Sequence, residues 1–292
     1  MRRSFANFIS VCVVFVSLSL SIALPAALFR LPFSKRFSPL DEISFSVKCI
    51  DSSEIRSLSL EEYVIAKSSV FINKDDEEEL IKAVMLAEKN CALKSVGIPS
   101  ESKITLLPKE NIDAAYDNFY KEIFSGISDL FIVYDGGLAY TPYHRSSYEY
   151  TLESKEYPYL KEVSTPEAPI YRYVEMSYSE LHRRLSGYLG VELVGDCTGW
   201  IRGVKVDSLG RAISVSTLLS DIPIDDFSDA LGLDTRRVFA ECHEKKVSFT
   251  LIGEGDGIGM SVEGARILAE RGYSYSDIIC HYYDKCNIYS SV

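Results

Sequence analysis

Residues 43–49 read Ile-Ser-Phe-Ser-Val-Lys-Cys, an alternation of apolar and polar side chains that predicts a strand with one buried face. A helix start follows at Ser59, with Glu62 three residues on to close a capping box and Leu58 placed to staple against Tyr63. Residues 75–93 carry Leu80, Val84, Ala87 and Cys91 on one stripe and predict a longer helix. Its first turn holds Asp75, Asp76, Glu77, Glu78 and Glu79, acids that suit the positive end of a helix dipole. Two apolar stretches meet at Asp135-Gly136, whose residues accept the positive φ of a tight turn, so 130–140 predicts a hairpin. Further hairpins are expected over 204–215, turning at Ser208-Leu-Gly210, and over 238–252, turning near 243–246. The last pattern is a strand at 247–252, a glycine-rich loop at 253–259, and a helix from about Ser261 ended by Gly272. Separate helices and hairpins, without a regular βαβ series, predict an α+β fold of antiparallel hairpins with helices packed against them.

A different pattern precedes this. Residues 4–29 carry no formal charge and are bracketed by Arg2 and Arg3 before, and by Arg30, Lys35 and Arg36 after. At 1.5 Å per residue such a helix reaches across a hydrocarbon core. A cleaved signal would want small residues at −3 and −1, whereas cutting near Ala26 or Ala27 leaves Leu24 or Pro25 at −3. The expectation is therefore one N-terminal transmembrane helix within residues 1–36 and a domain over 37–292 lying wholly on one side of the membrane.

Charge narrows the class of partner. From residue 31 onward 28 basic residues, the total of 31 less Arg2, Arg3 and Arg30, face 42 acidic ones, a net −14. Such a surface repels polyanions, and nucleic acid is not expected as a partner. The loop Gly253-Glu-Gly-Asp-Gly-Ile-Gly259 lacks the Lys and Ser/Thr of a phosphate loop and places Glu254 and Asp256 where phosphate would sit. Its glycines instead let backbone approach a ligand or another segment closely. Six cysteines follow the apolar segment, an even number that fixes no pairing, and no CxxC or second ligand pair of zinc-like spacing occurs. Neither metal nor cofactor is expected. Twelve tyrosines lie between Tyr116 and Tyr178, which suits either strand packing or a platform for sugar rings.

Several stretches in fixed order resemble the family of stage II sporulation protein D and the related amidase enhancer. They are Leu60-Glu-Glu-Tyr-Val64 with Lys82-Ala83 and Ala92-Leu93, Tyr143-His144 with Ser146-Ser147, Tyr157-Pro-Tyr-Leu160 through Val163 to Pro166, and Leu231-Gly-Leu233. The strongest is Gly257-Ile-Gly-Met-Ser261 with Gly264-Ala265, Gly272-Tyr-Ser-Tyr275 and His281-Tyr-Tyr283. The resemblance implies a membrane-tethered, extracytoplasmic protein acting on peptidoglycan. The family's best-known members are lytic transglycosylases that cut glycan strands stripped of stem peptides. They work in spore engulfment with a cell-wall amidase and a membrane partner.

Lytic cleavage needs a protonated carboxyl that donates to the glycosidic oxygen and then, as carboxylate, helps the sugar's 6-hydroxyl close an anhydro ring. The family's glutamate lies seven residues after the Val of the first motif; here that residue is Phe71, which moves no proton. Other family positions also differ: Gly-His-Gly reads Gly255-Asp256-Gly257, and Ala-Arg after the helix core reads Glu88-Lys89. Three readings follow. The first is a catalytically degenerate relative that binds glycan strands or partners, its groove lined by Tyr143, His144, Ser147, Asp256 and Ser261. The second is a working lytic enzyme whose acid has moved to Asp75, Asp76 or Glu77. The third is a secreted amidase enhancer with no chemistry of its own.

Overall fold

The computed structural model describes residues 43–291 apart from 53, 97–103, 191–196 and 218–219. The apolar segment 4–29 lies outside these residues; among the described residues no helix is long and apolar enough to cross a membrane. The chain opens with an antiparallel pair, β1 (Ser44–Cys49) and β2 (Ile55–Ser59), in which Phe45 faces Leu58. Ser59 then caps α1 (Leu60–Ser68), accepting from the Glu62 N–H while the Glu62 carboxylate accepts from the Ser59 N–H, so the expected capping box forms. Leu58 and Tyr63 are both buried, and the Tyr63 ring stacks on Phe45 at 4.2 Å.

The long helix, α2, spans Glu78–Ser95 and so begins three residues later than the acidic run suggests. The reason is local. The Asp76 carboxylate turns back to accept from the Asn73 N–H, the Asp75 N–H donates to the Asn73 side chain, and Glu77 keeps an extended backbone at the cap. After α2 come β3 (Thr105–Leu107), which pairs parallel to β1, then α3 (Lys109–Ala114) and α4 (Asn118–Ser125). The hairpin β4 (Leu130–Tyr134) and β5 (Gly137–Leu138) turns at Asp135 and Gly136, with φ of 48° and 72° as the Asp-Gly pair predicts. A two-residue strand, β6 (Tyr143–His144), follows.

Residues 171–252 then build a second unit. It contains β7 (Tyr171–Ser177), α5 (Tyr178–Leu189), α6 (Cys197–Trp200), the meander β8 (Gly203–Val206), β9 (Ala212–Ser216) and β10 (Asp221–Pro223), α7 (Ile224–Leu231), and the hairpin β11 (Arg237–Cys242) and β12 (Lys246–Ile252). Both hairpins expected here are present, and β12 sits between β11 and β7. The chain returns through β13 (Met260–Ser261), α8 (Val262–Glu270), α9 (Tyr275–Tyr282) and β14 (Asn287–Ser290), the last pairing with β4. The architecture is mixed α+β, mainly antiparallel, with parallel pairing at β1–β3 and at β13–β6.

Two separate hydrophobic clusters result. One gathers Val47 through Leu160 with Met260 through Cys286; the other gathers Met176 through Leu251 around Phe227 and Phe249. The first is organised on α2, which is enclosed on nearly every side, so even Glu88, Lys89 and Asn90 are buried. Each has partners. Asn90 donates to the carbonyls of Ile132 and Ala139 and accepts from the Ile132 N–H, which bolts the β4–β5 hairpin to the helix. Lys89 donates to the carbonyls of Ile127 and Ser128 above the Phe131 ring.

Enclosure pushes the Lys89 amine down to about 7, against a weaker opposing pull from Asp129. An uncharged amine retains the two donors that its carbonyl partners need. Because the folded value lies below the unfolded one, the unfolded chain holds more protons at pH 7–9, and stability rises with pH across that window by up to about 1.4 kcal/mol per unit. Below about pH 7 this contribution is lost. Urea titrations at several pH values should show that slope in the native chain and its loss in Lys89→Met.

Candidate functional site

The parallel pairing of β6 with β13 sets Tyr143 beside Met260 and His144 beside Ser261, bringing together two motifs more than a hundred residues apart. The glycine loop makes this pairing sterically feasible. A Cβ on Gly255, whose φ is +109°, would lie 2.4 Å from the His144 Cβ, and one on Gly259 would lie 1.9 Å from the Pro142 carbonyl oxygen. The close approach that the loop serves is therefore to the chain's own 142–147 segment.

Glu167 ties the junction. One carboxyl oxygen accepts from the N–H groups of Ser147 (2.9 Å) and Tyr148 (3.0 Å) and from the Ser261 hydroxyl (2.7 Å). Tyr148 and Glu149 both hold positive φ, so this acceptor stabilises a turn that side chains ordinarily avoid. The other oxygen of Glu167, with the hydroxyls of Thr165 and Tyr282, is buried and finds no protein partner. All three groups surround the missing side chain of Gly264, where a Cβ would sit 2.3 Å from the Tyr282 hydroxyl and 2.6 Å from that oxygen.

His144 is 3% exposed. Its Nδ1 lies 3.1 Å from the Ile258 carbonyl oxygen and its Nε2 contacts the Ser147 hydroxyl. Burial holds the imidazole below its usual value, against the charges of Asp256 and Glu167. Ser147 is half-buried, and Asp256 is exposed with a carboxylate oxygen accepting from the Ile258 N–H. Of the five groove positions expected, Tyr143, His144, Ser147 and Ser261 thus converge, with Asp256 on the facing loop.

Phe71 follows α1 in a tight turn and packs on the first core. The edge of Tyr143 meets its ring at 5.2 Å, and the Arg145 guanidinium lies over it at 5.2 Å while donating to the Val70 carbonyl. Behind this pair the Tyr143 hydroxyl donates to Glu88 at 2.7 Å. Burial raises the Glu88 carboxyl, with Lys67 and the Tyr143 bond opposing, but at 3% exposure that carboxyl is sealed from the groove. Residues 75–77 lie in the turn before α2. Asp76 is ion-paired with Arg266, which also donates to the Phe71 carbonyl, while Asp75 and Glu77 are exposed.

Two curated proteins named stage II sporulation protein D are similar to this chain. That of Bacillus amyloliquefaciens is 24% identical over 276 residues, covering 84% of this chain and 78% of the relative. That of Bacillus subtilis (strain 168) is 24% identical over 278 residues, covering 84% and 79%. The distant likeness supports the family that the motifs resemble. No protein-family model matches the chain.

Two features of the site were not anticipated from sequence. Glu167 sits directly after Pro166, the end of a matched stretch, and only the fold reveals its three donors. Arg145 and its partners Glu254 (3.5 Å) and Glu263 (3.8 Å) form an ion cluster beside Phe71. Burial raises the Glu263 carboxyl, Arg145 opposes, and the neighbouring acids Glu167, Glu254 and Glu270 raise it further. Of the tyrosines, Tyr134, Tyr140, Tyr157 and Tyr159 pack ring on ring, whereas Tyr173 on β7 is 74% exposed. Among the described residues no group of three or more metal-ligating side chains forms, and Cys49, Cys91, Cys280 and Cys286 are free thiols. The Gly264 junction gives a direct test: Gly264→Ala should destabilise the chain by about 1–3 kcal/mol, the cost of overpacking, measured by thermal or urea unfolding.

Proposed function

We propose that the chain serves sporulation at the cell wall and that its groove holds peptidoglycan glycan strands or a partner protein without cutting them. Residues 4–29 tether it to the cell membrane as a single pass, with the domain over 37–292 outside. A cell-wall amidase and a membrane engulfment protein are the partners this role calls for. The likeness to the two stage II sporulation proteins supports the sporulation role. The observation that carries the absence of cutting is Phe71, a ring clamped between Tyr143 and Arg145 where lytic relatives keep a carboxyl. Losing a group that serves as acid and then base forfeits roughly 10²–10⁴-fold in rate.

Beyond Asp75, Asp76 and Glu77, the residues the sequence offers for a relocated acid, the structure adds a different candidate. Glu263 is a half-buried carboxyl held above the usual carboxylate range, next to the arginine that covers Phe71. A single experiment separates the two. Full-length protein is incubated with glycan strands freed of stem peptides, and anhydro-sugar ends are counted alongside strand co-sedimentation. The expected outcome is binding without anhydro products in the native chain, and new products in Phe71→Glu. Products from the native chain that vanish in Glu263→Gln would establish the relocated acid instead.

A further inference from the structure

The cluster built on β6 contains a constellation that the lytic question does not use. The Nδ1 of His144 faces a carbonyl oxygen, that of Ile258, which can only accept, so Nδ1 carries the proton of the neutral ring. The Nε2 lone pair is then turned to the Ser147 hydroxyl, which donates to it. A hydroxyl bonded to an imidazole that is itself oriented by a third group is the arrangement of an activated nucleophile. Burial supports it by keeping the ring uncharged at neutral pH; Asp256 and Glu167, the acidic groups that act on it, pull the other way.

Ser147 opens on a cleft between the two units, shared with Tyr150, Thr235, Arg237, Gly255 and Asp256. The free space there is about 20 Å³, room for one water. A space of that size takes one hydrolytic water, so an acyl group would have to be presented to Ser147 from the open side of the cleft. The Tyr148 N–H is already given to Glu167. The main-chain N–H groups on the facing side, those of Asp256 and Gly257, donate to no other group among the described residues and border the cleft.

We infer that Ser147 and His144 form a nucleophile–base pair that cleaves small acyl esters. The Ser147 oxygen attacks the ester carbonyl carbon as its proton passes to His144 Nε2. The C–O bond to the alcohol then breaks, and the imidazolium returns that proton to the departing oxygen, leaving an acyl-serine. Water, deprotonated by the same Nε2, attacks the acyl carbon, releases the carboxylic acid and restores the serine. The sum is ester plus water to acid plus alcohol, with no oxidant, metal or cofactor. This pair shares two residues with the groove of the glycan-binding reading, but its chemistry needs no carboxyl at position 71.

The test is a fluorophosphonate probe, whose phosphorus is attacked by an activated serine with loss of fluoride. Full-length protein is treated at pH 7.5, digested, and the adduct located by mass spectrometry, with 4-nitrophenyl acetate turnover measured in parallel. The expected result is an adduct on Ser147 in the folded chain and none in the urea-unfolded chain. Acetate release should fall by roughly 10²–10⁴-fold in Ser147→Ala, whose far-ultraviolet circular dichroism should match the native chain. No adduct on Ser147, or equal labelling in the unfolded chain, overturns the proposal. Because both outcomes are read on the native sequence, a misfolded variant does not decide the matter.

Discussion

A helix enclosed on nearly all sides must either be apolar throughout or satisfy every polar group it carries. The helix Glu78–Ser95 takes the second course, and the rest of the first unit depends on it. Three consecutive polar residues, Glu88, Lys89 and Asn90, each lock a different neighbour: the Tyr143 phenol, the turn at 127–128, and the 132–139 hairpin. The Thr141 hydroxyl adds a bond to the Ala87 carbonyl. A buried amide or amine left unmatched would cost about 1–3 kcal/mol, so these bonds specify one position for each segment and do more than add stability. Tyr143 inherits its place from this arrangement, and Phe71 inherits its contact from Tyr143.

The second centre is Glu167. By gathering two backbone donors and one hydroxyl on a single oxygen, it holds the 147–149 turn in left-handed backbone and fixes it to the start of the helix after Ser261. The Phe71 ring makes its contacts with Tyr143 and Arg145 and not with the Glu167 network. The frame around Glu167 is therefore held independently of the side chain at position 71.

Much of the local structure was legible. The capping box at Ser59, the Asp135-Gly136 turn, the hairpins expected over 204–215 and 238–252 and the helix start near Ser261 all rest on near-neighbour chemistry, and the fold honours them. The start of the long helix was misjudged because acids favoured by a helix dipole also make good turn acceptors, as Asp76 does for Asn73. Nothing in the periodicity around Glu88-Lys89-Asn90 reveals that other elements close over these residues. The site was legible only in part. Tyr143, His144, Ser147 and Ser261 were identified through motif resemblance, but Glu167, Arg145 and Glu263 acquire meaning only from contacts across 20 or more residues of sequence or between β6 and the final third of the chain.

The placement of the second unit has a consequence for how such a molecule can diversify. Its first and last strands, Tyr171–Ser177 and Lys246–Ile252, are paired so that Tyr171 sits opposite Ile252, which puts entry and exit about one inter-strand spacing, roughly 5 Å, apart. A graft with neighbouring ends can be lengthened, exchanged or excised while the host keeps its own path. Thr235 and Arg237 of that graft nonetheless form one wall of the cleft at Ser147. Swapping the module would therefore change one wall of that cleft and would have to replace its bonds to the host, those of Arg237 to Glu149 and of Arg211 to Thr151 and Glu162.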